Sequence, residues 1–459
     1  MAAERFRSPS FWFSTLDKPV QPRAPLDGDA QFDVAIVGAG YTGLWTAYYL
    51  NQREPGCRIA VVEAEVAGFG ASGRNGGWCA YYFSGIESLL EDPNKRERAL
   101  ALQRAMFDAV DEVGRASSAA GIDCDYAKGG VLIAGTSQPE LARLRAGYDE
   151  MRDYGFGEQD FLWLDAKAFA ERAHIRGALA GIYSPHCAAI QPAKLAQGLA
   201  AFLESHGVAI FEQSPVRSIE KGRITTDHGS IRADNVLRCT EGYSCRLPGL
   251  RRAILPLHSM MIATAPLPDS TWQELGLEGR PTFADHRRTV TYGQRTADGR
   301  LAFGTRGLYY YGSGIRDYFA DDDPGFVHTR ATLIELFPSL ADVEITHRWG
   351  GALGVTRDWM PFIHFDPQTG LGAVGGYAGN GVATTNLAGR TLADLVLRET
   401  TERTSFAWVG HPSRQWEPEP LRWLGAQGVR RMGECADAAE QQGRHAGLYG
   451  RIFDAFASH

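Results

Sequence analysis

The sequence predicts an α/β protein: a parallel sheet assembled from separated stretches of chain, interleaved with an α+β domain on a mainly antiparallel sheet. Three observations predict it. A complete β-α-β unit occupies residues 32–63, and a second glycine-rich turn leads into an Ala-rich helix near residue 380. Between them, "PLHSMMIATAPL", "RTVTYGQ" and "RLAFGTRG" alternate apolar and β-branched residues as antiparallel strands do.

The β-α-β unit comes first. Phe32 to Val37 reads as a buried parallel strand, continuously apolar from Val34 to Val37. "GAGYTGLWTAYYLNQ" follows from Gly38, with a helix over Tyr41 to Gln52, a break at "EPG", and a second buried strand, "CRIAVVEA", reaching Glu63. In a chain with 53 glycines a lone G-x-G-x-x-G carries little weight, but this context makes it a Rossmann-type dinucleotide turn. Gly38 allows the tight turn, Gly40 lets backbone approach a pyrophosphate, Gly43 lets helix and strand pack, and Glu63 binds a ribose diol. The next loop, "GFGASGRNGGWCA" from Gly68 to Ala80, cannot build a core from glycines and one Arg. Its N–H groups, with Ser72, Arg74 and Asn75, suit an extended anionic cofactor lying where the acidic strand ends.

These residues, "DVAIVGAGYTGLWTAYYL…VVEAEVAGFGASGRNGG", resemble the FAD-dependent D-amino acid oxidase superfamily, within its glycine oxidase and gamma-glutamylputrescine oxidoreductase branch. The resemblance implies FAD held at Gly38, Gly40, Tyr41, Thr42, Gly43, Glu63, Ala71, Ser72, Arg74, Asn75, Gly76 and Gly77. "SPHCAAIQPAKLAQGLAAFLESHGVAIFEQSPV" resembles the family's second cofactor segment, with a helix opening at Pro192 and the Val216 backbone at the adenine. "ADNVLRCTEGYS" resembles its Ala-Thr-Gly or Ala-Thr-Asn strand end, keeping Thr240 and departing at Cys239 and Glu241. In "GLGAVGGYAGNGVATTNLAGRTLADLVL" a strand enters the Gly375–Gly381 turn and a helix follows, whose N-terminus suits negative charge. The family sets this terminus against the flavin pyrimidine, at Gly379, Asn380, Gly381 and Val382. "HRWGGALGVTRDWMPF" holds no Cys where sarcosine-oxidising relatives attach flavin, so the FAD is expected to be non-covalent; Thr356 and Asp358 still resemble the flavin-side turn.

The implied cofactor domain is discontinuous, at 30–82, 175–250 and 345–400, and the substrate domain takes 83–174 and 251–344. "NKRERALALQRAMFDAVDEVGRASSAAG" is an amphipathic helix in the first insert, and 401–459 reads as a helical C-terminal extension. Pocket candidates are Trp78, His258, Tyr292, Arg306, Tyr309 to Tyr311, Trp349, Trp359 and Tyr377, aromatics fit to cage an amine and an Arg fit to bind a carboxylate. For His258 a buried, hydrogen-bonded imidazole is the competing reading.

The implied reaction is hydride transfer from a C–H next to nitrogen to the flavin, imine hydrolysis, and reoxidation by O2 to hydrogen peroxide. A dehydrogenase using an electron carrier is the alternative, and a non-catalytic or RNA-modifying flavoprotein is a reading of another class. A formal charge of −7 with dispersed Lys and Arg argues against a nucleic-acid partner. The N-terminal stretch has no apolar core of signal-peptide length and is expected to be retained, and no run is long enough to span a membrane. Seven scattered cysteines without a C-x-x-C pair form neither metal spacing nor a disulfide framework, which suits the cytoplasm. No arginine pair suggests an α-carboxylate clamp, so the expected substrate is a primary or secondary amine rather than a small D-amino acid.

Overall fold

The computed structural model describes residues 9–457; the first eight residues of the N-terminal stretch and the last two of the C-terminal extension lie outside the described residues. Val34 to Val37 and all of Ile59–Val62 are buried, as the apolar runs require, because helices cover one face of their sheet while Leu26 and the hairpin strands Ser218–Glu220 and Arg223–Thr225 cover the other. The strand order is Phe362–Asp366, Leu371–Gly375, Ser230–Arg238, Ala30–Val37, Ile59–Val62, Ala209–Phe211. Neighbours run parallel except at the Phe362–Asp366 edge, and the first strand holds register on both sides, with Val34 opposite Asn235 and Ile59. Separated stretches of chain thus make one sheet, as predicted.

Helices Tyr41–Arg53 and Gly381–Val396 lie side by side in the core of this domain. Gly389 permits it, since a Cβ there would stand 2.7 Å from Trp45 Cβ. The predicted amphipathic helix forms over Arg96–Ala119, but its buried face (Leu102, Met106, Val110) joins this same core. Within the 83–174 segment this helix therefore packs mainly on Gly381–Val396, while Phe107 and the strands Val131–Gly135 and Leu162–Asp165 belong with the second sheet.

The second sheet has the order Ile345–Val355, Leu255–Thr264, Leu301–Tyr309, Thr291–Arg295, Thr282–Asp285, Val131–Gly135, Ala180–Ser184, Leu162–Asp165. It is antiparallel apart from the Thr282–Asp285 and Val131–Gly135 pair. Two of its strands fall inside the expected cofactor segments. Ile345–Val355 pairs along its length with Leu255–Thr264, and Ala180–Ser184 pairs with Val131–Gly135, so the boundaries at 345 and 175 fall in the wrong sheet. The C-terminal extension folds as helices Leu421–Gln441 and Gly447–Ala457, while 406–420 forms neither helix nor strand.

A short N-terminal helix, Phe11–Ser14, carries three buried aromatics, Phe11, Trp12 and Phe13. Ser10 caps it and Trp349 packs against it. The sequence reading assigned no structure here.

Candidate cofactor and substrate site

A single cavity of about 860 Å³ reaches from the glycine turns of the parallel sheet to the strands of the antiparallel one. Its inner walls explain the glycines. Gly38 has φ +105°, and a Cβ there would lie 2.6 Å from the Cys239 carbonyl oxygen. A Cβ on Gly43 would stand 2.0 Å from the Gly38 oxygen, so this glycine serves helix–strand packing from behind the cavity wall. Gly40 has an ordinary φ of −79° and would meet only Ser72 Oγ, at 3.1 Å. Backbone at Gly40 is therefore bare toward the cavity, as a phosphate-approaching position must be.

Around this turn Ser72 Oγ accepts the Tyr41 N–H at 2.9 Å, and Glu63 accepts those of Ala39 and Glu65 at 2.8 and 3.0 Å. Burial pushes the Glu63 carboxyl up to about 7, against the pull of these two bonds. Arg74 is 2% exposed and gives its N–H groups to the carbonyls of Phe69, Asp317 and Gly350. Its Nη2 is buried with no partner, a donor free for a cofactor oxygen. Ala71, Asn75 and Gly76 also line the cavity. Gly77 does not: its φ is +73°, and Asn75 Oδ1 accepts its N–H at 2.8 Å to fold the loop. The loop is also strapped from outside, where Trp12 Nε1 donates to the Asn75 carbonyl at 2.7 Å and Ser10 Oγ to Gly73 at 2.6 Å. Sequence reasoning missed this strap; three successive aromatics behind a capping Ser were the available signal.

Val216, Thr240, Gly379, Asn380, Gly381 and Val382 line the same cavity. Two helix N-termini are tied together across it by Tyr377 Oη and Thr42 Oγ1, 2.9 Å apart. Glu241, where the sequence departs from the family pattern, turns its carboxylate onto the Tyr377 N–H at 3.0 Å, and burial raises its pKa. Its side chain therefore braces the flavin-side turn from below. The donors, the bare Gly40 backbone, the acidic strand end and the orphaned Arg74 nitrogen all fit a dinucleotide cofactor.

Of the pocket candidates, Trp78, Tyr292, Arg306 and Tyr377 line the cavity. Trp78 and Tyr292 meet edge to face at 6.3 Å. Arg306 donates to the Ala378 carbonyl and has no carboxylate partner among the described residues; burial lowers its pKa. The others lie elsewhere. A bulge between His258 and Ser259 puts Ser259 on the cavity wall and leaves His258 fully buried, accepting the Arg316 N–H at 3.1 Å. Burial pushes its imidazole down to about 4, as a structural role predicts. Trp349 faces away and donates to the Arg74 carbonyl at 2.9 Å. Trp359 donates to Phe456, Tyr309 to Glu419, Tyr310 stacks on Arg316, and Tyr311 is exposed. Strand faces alternate, and one bulge re-aims them; the sequence pattern does not show where it falls. The outer wall, with Tyr82, Glu87, Arg143, Arg288, Phe453 and Asp454, was also missed, since separate elements bring it together.

The chain matches a family model described as FAD dependent oxidoreductase over residues 33–395. It is 31% identical over 407 residues to the probable oxidoreductase OrdL of Rhizobium meliloti, covering 86% of this chain and 90% of that protein. It is 30% identical over 411 residues to the gamma-glutamylputrescine oxidoreductase of Escherichia coli, covering 88% and 92%. The crystal structure of glycine oxidase from Geobacillus kaustophilus has the same fold, with a TM-score of 0.65, 23% identity, and coverage of 83% of this chain and 100% of that one. The glycine cradle found in the cavity thus lies within the matched region, and the chain belongs to the FAD dependent oxidoreductase family as an FAD-dependent enzyme.

Proposed function

We propose that the protein oxidises the C–N bond of a primary or secondary amine and passes the electrons to O2, giving hydrogen peroxide. The observation that carries this reading is the continuity of the cavity from Gly40 and Gly379 to Trp78, Tyr292 and Arg306. The chemistry FAD supplies when bound is acceptance of a hydride from the carbon beside the nitrogen. The chain's own residues set the conditions for it. The rings of Trp78, Tyr292 and Tyr377 wall the inner cavity and orient the carbon chain. Hydride leaves only when the nitrogen lone pair is free, and the unpaired Arg306 cation disfavours an ammonium there, so it holds the reacting nitrogen neutral. Glu241 and Thr42 fix Tyr377 from its backbone and its hydroxyl. Loss of hydride leaves an iminium, which water hydrolyses to a carbonyl compound and ammonia or a smaller amine.

Arg306 also favours a second reading, an amino acid held by its carboxylate. A reducing cytosol suits the seven cysteines, all of them unpaired. Among the described residues no helix is long and apolar enough to cross a membrane. The test is a peroxide screen over alkylamines, polyamine derivatives, N-methyl glycines and D-amino acids. Peroxide with amines supports the proposal. Preference for glycine, sarcosine, D-alanine or D-proline refutes the amine reading, and dye reduction without peroxide refutes the oxidase.

A further inference from the structure

We propose that the outer part of the cavity is a cation subsite, in which Glu87 holds a second, positively charged group of the amine substrate. This deepens the amine reading above and rests on it. The outer wall bears the carboxylates Glu87, Asp285 and Asp454, the guanidinium groups of Arg143, Arg287 and Arg288, and His286, whose imidazole burial and the neighbouring arginines push down to about 4. The three arginines are all engaged. Arg143 Nη1 donates to both oxygens of Glu440 at 2.8 Å, and Arg287 lies between Asp285 and Glu335. Arg288 reaches Glu440 at 2.6 Å and grips Asp454 through Nε and Nη2 at 2.8 and 3.0 Å. Glu87 is the one carboxylate of this wall that stands in no ion pair among the described residues, and it is exposed and lines the cavity.

The C-terminal helices produce this imbalance. Glu440 and Asp454 come from the extension, beyond the end of the matched family region at 395. Asp437, on the helix of Glu440, accepts the backbone N–H groups of Arg288 and Thr289, each at 2.8 Å, and so fixes Arg288 where Glu440 and Asp454 neutralise it. Glu87 is left without a cationic partner among the described residues, and burial, with Glu150 and Glu91 nearby, raises its carboxyl pKa, a shift that a bound cation would reverse. The same cavity wall carries Tyr82, stacked on Tyr81 with ring centroids 4.2 Å apart, an aromatic ring of the kind that attracts an ammonium. At the inner end Arg306 has the opposite sign. A substrate with one neutral, reacting nitrogen and one remote ammonium matches both ends, and the field orients it in a single direction.

The test uses the FAD-loaded enzyme under anaerobic conditions and follows flavin bleaching with three probe series of matched chain length. These are n-alkylamines, α,ω-diamines and ω-amino acids. At the best length the diamine should exceed the monoamine in kcat/KM by about tenfold, chiefly through KM. In Glu87→Gln that preference should fall to about unity, and Glu87→Asp should restore part of it. Glu440→Gln, which frees Arg143 and leaves Arg288 on Asp454 alone, should also reduce it; flavin content and circular dichroism check each variant's folding. A wild-type enzyme without diamine preference overturns the subsite, as does a preference surviving Glu87→Gln, which would leave Glu87 as a first-turn residue of helix Ile86–Glu91 and no more. Preference for ω-amino acids overturns it in favour of the arginines. If monoamines bleach the flavin and diamines do no better, only the subsite fails. If no amine bleaches it, the amine reading fails and the subsite with it.

Discussion

Gly40 and Gly43 stand three residues apart in one turn, and the structure predicts opposite consequences for filling them. Gly40 has unstrained backbone, and a Cβ there touches only the Ser72 hydroxyl, at 3.1 Å. Gly40→Val should therefore leave the fold within about 1 kcal/mol of wild type, since that hydroxyl needs to yield only a few tenths of an ångström. The added methyls enter the cavity, where backbone N–H groups of helix Tyr41–Arg53 must come close to a phosphate. Losing that contact removes up to ~2 kcal/mol of charge–dipole attraction, about a thirtyfold loss of affinity before any steric term. Gly43→Ala behaves the other way: its methyl would sit 2.0 Å from a backbone oxygen, and overpacking of that kind costs about 1–3 kcal/mol or more. The assay pairs thermal melting of the flavin-free proteins with titration of each by FAD. Gly40→Val should melt like wild type and bind FAD weakly, while Gly43→Ala should melt early. Full FAD occupancy of purified Gly40→Val would refute the placement of the pyrophosphate at this turn.

Acid or heat should release the flavin into the supernatant as intact FAD, because the 347–362 stretch, read from the sequence as the attachment region, holds no Cys; flavin migrating with the denatured chain would disprove non-covalent binding. Trp12→Ala removes a buried ring and the bond to Asn75, and should cost about 3–5 kcal/mol with weakened flavin retention; normal retention would show that the strap does not hold the loop. The kcat of amine oxidation should rise with pH through the bound amine. Arg306→Met should move that rise to higher pH, because a neighbouring cation that lowers the ammonium pKa is gone; an unmoved profile would place the amine away from Arg306.

The parallel sheet and its glycine cradle were legible because their causes are local. Turn, strand and helix signals at Phe32 to Glu63 lie within one β-α-β unit, and each glycine's role follows from spacing within the turn. What stayed hidden depends on distant partners. Trp12 meets Asn75 63 residues away, and Arg143 meets Glu440 across 297. His258 sits on a strand that was anticipated and Trp349 on one that was not, and both face away from the cavity, since facing depends on register and on the bulge at Ser259. Ile345–Val355 reads equally well as a strand of either sheet; only its long pairing with Leu255–Thr264 decides the matter.

The order in which the strands of the parallel sheet are made has a consequence for biosynthesis. Strand Ala30–Val37 needs Ser230–Arg238 as a neighbour, and that strand in turn needs Leu371–Gly375. Ribosomes add ~5–20 residues per second, so on the order of tens of seconds separate the first strand from the last. The Phe11–Phe13 aromatics wait through the same interval for the Ile345–Val355 strand, whose His347 lies 333 residues beyond Ser14. During translation the nascent chain exposes these three aromatics early and covers them only after residue 347. Loading of the cofactor is therefore a late event, and chaperone occupancy of the N-terminus should govern the yield of yellow protein.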